Sequence, residues 1–102
     1  MEFYEHLYVG KKIADKSEMI KTKLIKNEFV PFVHVILLPL TEDGILEIYP
    51  AYILRQPLYQ KSTLKVVGIA ADHSEACEMV QDIVNECLKT VGNIDLRNYL
   101  KF

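Results

Sequence analysis

The feature that most limits what this chain can fold into is the stretch Leu64 to Val91, L-K-V-V-G-I-A-A-D-H-S-E-A-C-E-M-V-Q-D-I-V-N-E-C-L-K-T-V. It reads as an apolar strand, a polar corner and a long amphipathic helix. Leu64 to Ala71 is almost unbroken apolar sequence centred on Val66, Val67 and Ile69. Adjacent β-branched residues favour extended backbone. A run without alternation is what a strand shows when both of its faces are covered. Gly68 marks either a bulge or a place where another backbone comes close.

At Asp72 the period changes from two to 3.6. Asp72 with Glu75 three residues on predicts a capping box, with Asp in place of Ser or Thr. Ala76, Met79, Val80, Ile83, Val84, Cys87, Leu88 and Val91 then form one continuous apolar stripe. Glu75, Glu78, Asp82, Asn85 and Glu86 occupy the other side. Gly92 stands where a left-handed residue ends a helix.

Lys11 to Asn27 predicts a second helix. Ile13, Ser17, Ile20 and Leu24 share a face that Ala14, Met19 and Ile25 broaden. Six lysines against two acids give this segment a net +4, whereas five acids against Lys89 give Asp72 to Val91 a net −4. The two helices either lie side by side, meet across an oligomer, or present plain solvated faces. Exposed pairs between them would add little stability.

Phe29 to Leu40, F-V-P-F-V-H-V-I-L-L-P-L, reads as the second buried strand. Val30, Phe32, His34, Ile36 and Leu38 point one way and Val33, Val35 and Leu37 the other. Pro31 and Pro39 mark its ends, and Thr41 to Gly44 is a turn by composition. Ile45 to Gln60 admits two readings, since Pro50 and Pro57 exclude one long element. One is a return strand over Ile45 to Tyr49; the other, favoured by the spacing of Leu46, Tyr49 and Ile53, is a set of short helical pieces. Phe3 to Val9 is an aromatic-rich lead-in packed across the domain. Asp95 caps a last turn that docks Leu96, Tyr99 and Leu100. The expectation is a single domain over residues 1–102, of α/β (or α+β) class. Its two- to three-stranded sheet packs with two long helices, in the order helix, strand, short irregular or helical segment, strand, helix, helical turn. A chain of 102 residues is enough for one core.

The formal net charge is −2 and no lysine- or arginine-rich stripe alternates with aromatics, so nucleic acid is not an expected partner. The N-terminal M-E-F-Y-E-H-L-Y-V-G lacks the positive region and apolar core of a signal peptide. The longest apolar run is too short to span a bilayer. A cytoplasmic protein without a membrane partner is therefore expected. Cys77 and Cys87 lie ten residues apart on one helix, about 15 Å at helical rise, beyond disulfide reach. Cys87 belongs to the core stripe. Cys77, near the helix N-terminus, could hold a stabilised thiolate, but an ordinary cysteine is the plainer reading.

No catalytic, metal or cofactor motif emerges. His6, His34, His73 and the cysteines are scattered, and only His73 and Cys77 fall at i, i+4, two ligands where a structural zinc needs four. Ser74 and Cys77 stand near His73 in sequence, but adjacent helical residues point in different directions. Neither phosphate-binding glycine motif is present. His34, an imidazole inside an apolar strand, reads as a hydrogen-bonded neutral residue, because a buried polar group must be satisfied. The best candidate site is the strand-to-helix corner. There Asp72, His73 and Ser74 would meet Tyr49, Tyr52 and Arg55 from the irregular segment. A helix N-terminus offers free N–H groups and a favourable dipole, and ligands of open α/β sheets gather beyond the strand ends. Asp72 itself would occupy that dipole, so a plain cap is the simpler reading.

At H-L-Y-V-G, V-V-G-I-A and T-V-G-N-I-D-L-R-N-Y-L the chain resembles a group of small bacterial proteins from clostridial-type anaerobes. The resemblance implies a bacterial, cytoplasmic, single-domain protein and brings no activity, cofactor or catalytic residue with it.

Two function classes follow. One is a small homo-oligomeric interaction or regulatory protein without its own chemistry. The other is a module for a small polar ligand, or a minor enzyme, using the corner near residues 72–74. A deep pocket lined by Arg55, His73 and a tyrosine would favour the second, and a broad apolar patch the first. Two strands apolar on both faces, with few elements to cover them and long exposed edges, predict a homodimer.

Overall fold

The computed structural model describes residues 1–38, 46–55, 64–93 and 95–100. Its centre is the strand expected at Leu64 to Ala71, β4 (Lys65–Ala70), with Val66, Val67, Ile69 and Ala70 all buried. β4 is flanked by β1 (Glu2–Val9) in parallel and by β2 (His34–Leu37) antiparallel; β2 pairs in turn with β3 (Glu47–Pro50) antiparallel. The sheet order is β1-β4-β2-β3. The structure is thus mixed α+β with four strands, not two or three.

Each correction has a local cause. The lead-in is a strand, because Phe3, Leu7 and Val9 pack on one side of the sheet while Tyr4 and Tyr8 pack on the other. The pairing of β1 with β4 shifts register between Phe3 and Tyr8. Gly68 serves both roles foreseen for it. It sits where both neighbouring strands shift register, and a Cβ there would stand 3.0 Å from the Tyr8 carbonyl oxygen and 3.3 Å from Ile36 Cδ1. The second strand is only His34–Leu37, because the chain turns at Pro31 and Phe32, with Phe32 at φ 66°. That turn sends Val30 into the cluster with Val33, Val35 and Leu37 and leaves Phe32 in solvent. In the ambiguous segment the return strand and the helical reading each hold for half: β3, then a 3-10 turn over Ala51–Arg55. The Thr41 to Gly44 turn and the helical pieces beyond Arg55 fall outside the described residues.

The basic helix splits into a 3-10 turn (Lys11–Lys16) and α1 (Ser17–Ile25). Ile13, Ile20 and Leu24 are buried as expected, but Ala14, Met19 and Ile25 are exposed rather than broadening the face. α1 ends in a Schellman motif. Asn27 is left-handed at φ 61°, its N–H reaches the Leu24 carbonyl at 3.2 Å, and the Glu28 N–H reaches that of Lys23 at 2.9 Å. α2 (His73–Val91) runs as predicted, from Asp72 to a left-handed Gly92 at φ 82°. Ala76, Ile83 and Cys87 are fully buried, whereas Leu88 is 44% exposed. Asp95 caps α3 (Leu96–Tyr99), and Leu96 and Leu100 are buried.

Two buried clusters result, one on each face of the sheet. Ile13, Ile20 and Leu24 cover Val35, Val66 and Ile69. Ala76, Ile83, Cys87, Leu96 and Leu100 cover Ile36, Val67 and Ala70 on the other side. One chain therefore covers both faces of its own sheet, and the argument that a second copy is needed for this falls. The edges are guarded too: Glu2, Glu5 and His6 are exposed on β1, and β3 is four residues long and ends in Pro50. The basic and acidic helices lie on opposite faces, which removes the side-by-side arrangement.

Candidate functional site

β1, β3 and β4 are mutually parallel, so their C-terminal ends share one edge of the sheet with the start of β2. That edge collects Gly10 to Lys12, His34, Pro50 to Arg55 and Ala71 to Ser74.

Its polar half is the corner proposed from sequence. The Glu75 N–H donates to Asp72 Oδ1 at 2.8 Å, which is the expected cap. The reciprocal bond of a capping box is replaced. Glu75 Oε1 accepts from the Ala71 N–H at 2.8 Å, and Oε2 accepts from the Lys12 N–H at 3.4 Å. Lys12 Nζ also meets Asp72 Oδ2 at 3.2 Å. The Glu75 N–H, then Lys12, hold the Asp72 carboxyl below its usual range. These groups satisfy one another, and the corner reads as a staple between β1 and α2.

The other residues assigned to this site, among the described residues, are held by several different partners. Tyr49 is half-buried against the α1-side cluster, and its hydroxyl donates to Glu47 Oε2 at 3.0 Å. The Arg55 guanidinium lies over the Phe29 ring, 5.8 Å from its centroid. Ser74 is exposed at the start of α2. Tyr52 lines a groove of about 480 Å³ with Phe29, Phe32, Val33, His34 and Pro50. His34 was missing from the set and connects its parts. Its ring walls that groove and stands edge-on to His73, centroids 5.9 Å apart at 74°. Its Nδ1 is buried without a hydrogen-bond partner, contrary to the satisfied imidazole expected. The signal for it was the lone imidazole in an apolar strand.

The other half of the edge is apolar. Beside the first groove lies a second of about 340 Å³, floored by Ile13, Ile20 and Val30 and rimmed by Lys16 and Lys23. Pro31, Phe32 and Val33 line both. Phe32 stands between them, 86% exposed. Met19, Ile25, Phe29 and Tyr52 are exposed on α1, the segment after it and the 3-10 turn, so five of the six large exposed hydrophobics among the described residues lie on these elements. Sequence reasoning missed this surface because it assigned Phe32 to a buried strand.

A third groove, of about 310 Å³, runs between the end of β1 and α2, with Lys11 facing Glu75, Glu78, Asp82 and Glu86. The Tyr8 and Tyr99 hydroxyls both donate to Glu86 Oε2, at 3.1 and 3.2 Å. Burial, then hydrogen bonding of Tyr8 with Tyr99 and with Glu86, push the Tyr8 phenol well above its usual range. On α2, Cys77 is exposed with Sγ 3.6 Å from His73 Nδ1, while Cys87 is buried. Burial raises the Cys87 thiol.

Among the described residues no three His, Cys, Asp or Glu are grouped closely enough to hold a metal ion, and no helix is long and apolar enough to cross a membrane. Comparison of the chain with models of known protein families, with curated proteins and with solved structures finds no match.

Proposed function

We propose that this protein is a small cytoplasmic interaction module without catalytic chemistry of its own, and that the surface around Phe32 docks a second copy of the chain. The observation that carries this reading is Phe32 itself. An L-residue in the left-handed region costs about 1–2 kcal/mol, and a bulky one there is an outlier. With φ at 66° and the residue 86% exposed, packing within the chain does not repay that strain. Contact with a partner would, and strain of this kind concentrates at functional sites.

The occupant follows from shape. A protruding ring flanked by two apolar grooves is self-complementary. About a two-fold axis, residue i of one copy meets j of the other and j meets i, so each Phe32 can seat beside its partner's grooves. The polar-ligand reading has less support, because the Arg55 guanidinium lies over Phe29 and none of the three described grooves is lined by both Arg55 and His73.

Sedimentation equilibrium at micromolar concentration tests the proposal. The wild-type chain should show a dimer mass and Phe32→Asn a monomer mass. A wild-type monomer with no concentration dependence would overturn it.

A further inference from the structure

We infer that the lysine-rimmed groove beside Phe32 binds a single-chain aliphatic acid, an apolar chain ending in a carboxylate. This goes beyond the docking reading and does not rest on it, since one copy of the chain suffices. The groove measures about 340 Å³, within the range of small-molecule sites. Its floor is Ile13, Ile20 and Val30, which the fold buries in the α1-side cluster. Met19 and Phe32 also line it and are 49% and 86% exposed. An aliphatic chain lying there covers both, and its affinity rises roughly fourfold for each methylene it buries. The unbranched, flexible thioether of Met19 adapts to such a chain.

The anionic head follows from charge. Lys16 and Lys23 both line the groove, and among the described residues no acidic side chain does. They flank Met19 and Ile20 at i, i+3, i+4 and i+7 spacing, so one helical face presents cation, apolar surface and cation. Glu18 pairs with Lys21 at 3.9 Å and Asp72 with Lys12 at 3.2 Å. Neither Lys16 nor Lys23 has a carboxylate partner among the described residues. Lysine stems lie along apolar surface while the ammonium stays in water, which suits them to meet a carboxylate at the mouth of the groove. The groove between β1 and α2 has the opposite character, since there Lys11 faces four carboxylates. A free acid also fits the concave shape better than a bilayer. A single chain reaches a floor that is only 2–8% exposed, whereas a flat lipid surface meets Phe32 first.

The test is calorimetric titration of the full chain with hexanoate, octanoate and decanoate below their micelle concentrations, and with decanol as the uncharged control. Expected are one decanoate per chain, affinity rising about fourfold per methylene along the series, and weaker binding of decanol. The double variant Lys16→Gln, Lys23→Gln should bind decanoate about tenfold more weakly and lose the preference over decanol. Lys26→Gln, outside the groove, should keep both. No saturable uptake, or equal binding of decanoate and decanol by the wild type, overturns the site. So does binding to phosphatidylglycerol vesicles without uptake of the free acid. Sedimentation separates this inference from the docking proposal. A dimer that takes up no decanoate removes the acid site and leaves the Phe32 surface standing, and a monomer that binds one decanoate does the reverse. A second copy would occupy the same groove, so decanoate should shift a wild-type dimer towards monomer. A dimer that keeps its mass with decanoate bound places the acid elsewhere and overturns the site.

Discussion

Gly10 and Glu75 meet so closely that a β-carbon on residue 10 would fall within the Glu75 carboxylate. The contact joins the end of β1 to the first turn of α2. It places Glu75 to accept from the backbone of both Ala71 and Lys12, so one carboxylate ties two parallel strand ends to a helix.

Gly10→Ala should therefore expel the Glu75 carboxylate and leave those N–H groups without it. The backbone at Gly10 is extended (φ −61°, ψ 143°), so alanine fits the conformation and only the contact is lost. The expected cost is about 1–3 kcal/mol in urea unfolding. In a Glu75→Ala background the same substitution should cost little. An equal loss in both backgrounds would detach Gly10 from Glu75.

Two residues of the apolar stripe expected on α2 should behave differently. Ile83 is fully buried, and Ile83→Ala should destabilise by about 2–5 kcal/mol. Leu88 is 44% exposed, and Leu88→Ala should stay within about 0.5 kcal/mol. Similar losses at both would mean that the stripe is buried along its whole length.

Removing Phe32 should not harm the monomer. Asparagine tolerates the left-handed region, so Phe32→Asn should leave stability unchanged or raise it by up to about 1 kcal/mol. Thermal unfolding in dilute solution measures this. A lowered Tm would show that the ring contributes packing within one chain.

Asp72 makes stability depend on pH in a defined direction. The Glu75 N–H and Lys12 depress its pKa below the ordinary 3.8. Its contribution is present above that value and is lost as pH falls through the depressed one. Asparagine also caps helices, so Asp72→Asn should keep the helix start but remove this titration. The difference between wild type and Asp72→Asn should shrink below about pH 4. A constant difference from pH 2 to 7 would exclude Asp72 as the titrating group.

Most of α2 was legible because its signals are local. An acceptor at Asp72, a 3.6 period and a glycine at 92 all act within one or two turns, and the structure keeps all three. β4 was legible for the same reason. β1 was not, because its identity depends on a parallel neighbour more than fifty residues away, and exposed Glu5 and His6 interrupt its apolar pattern. The candidate site was half legible. Asp72 and His73 lie at the predicted sheet edge, but Arg55 turned to Phe29, and His34 became the link between Tyr52 and His73.

The sequence by itself determined the strand–corner–helix unit, its cap, the buried face of Ile13, Ile20 and Leu24, and the docking of Leu96 and Leu100. Each follows from backbone preference and side-chain period over a few residues. Only the tertiary structure decided that four strands share the sheet and that the two charged helices take opposite faces. It also decided that Phe32 leaves the core. These outcomes depend on pairing and packing between segments far apart in the chain, where a single left-handed residue reverses which side chains meet the core and which meet solvent.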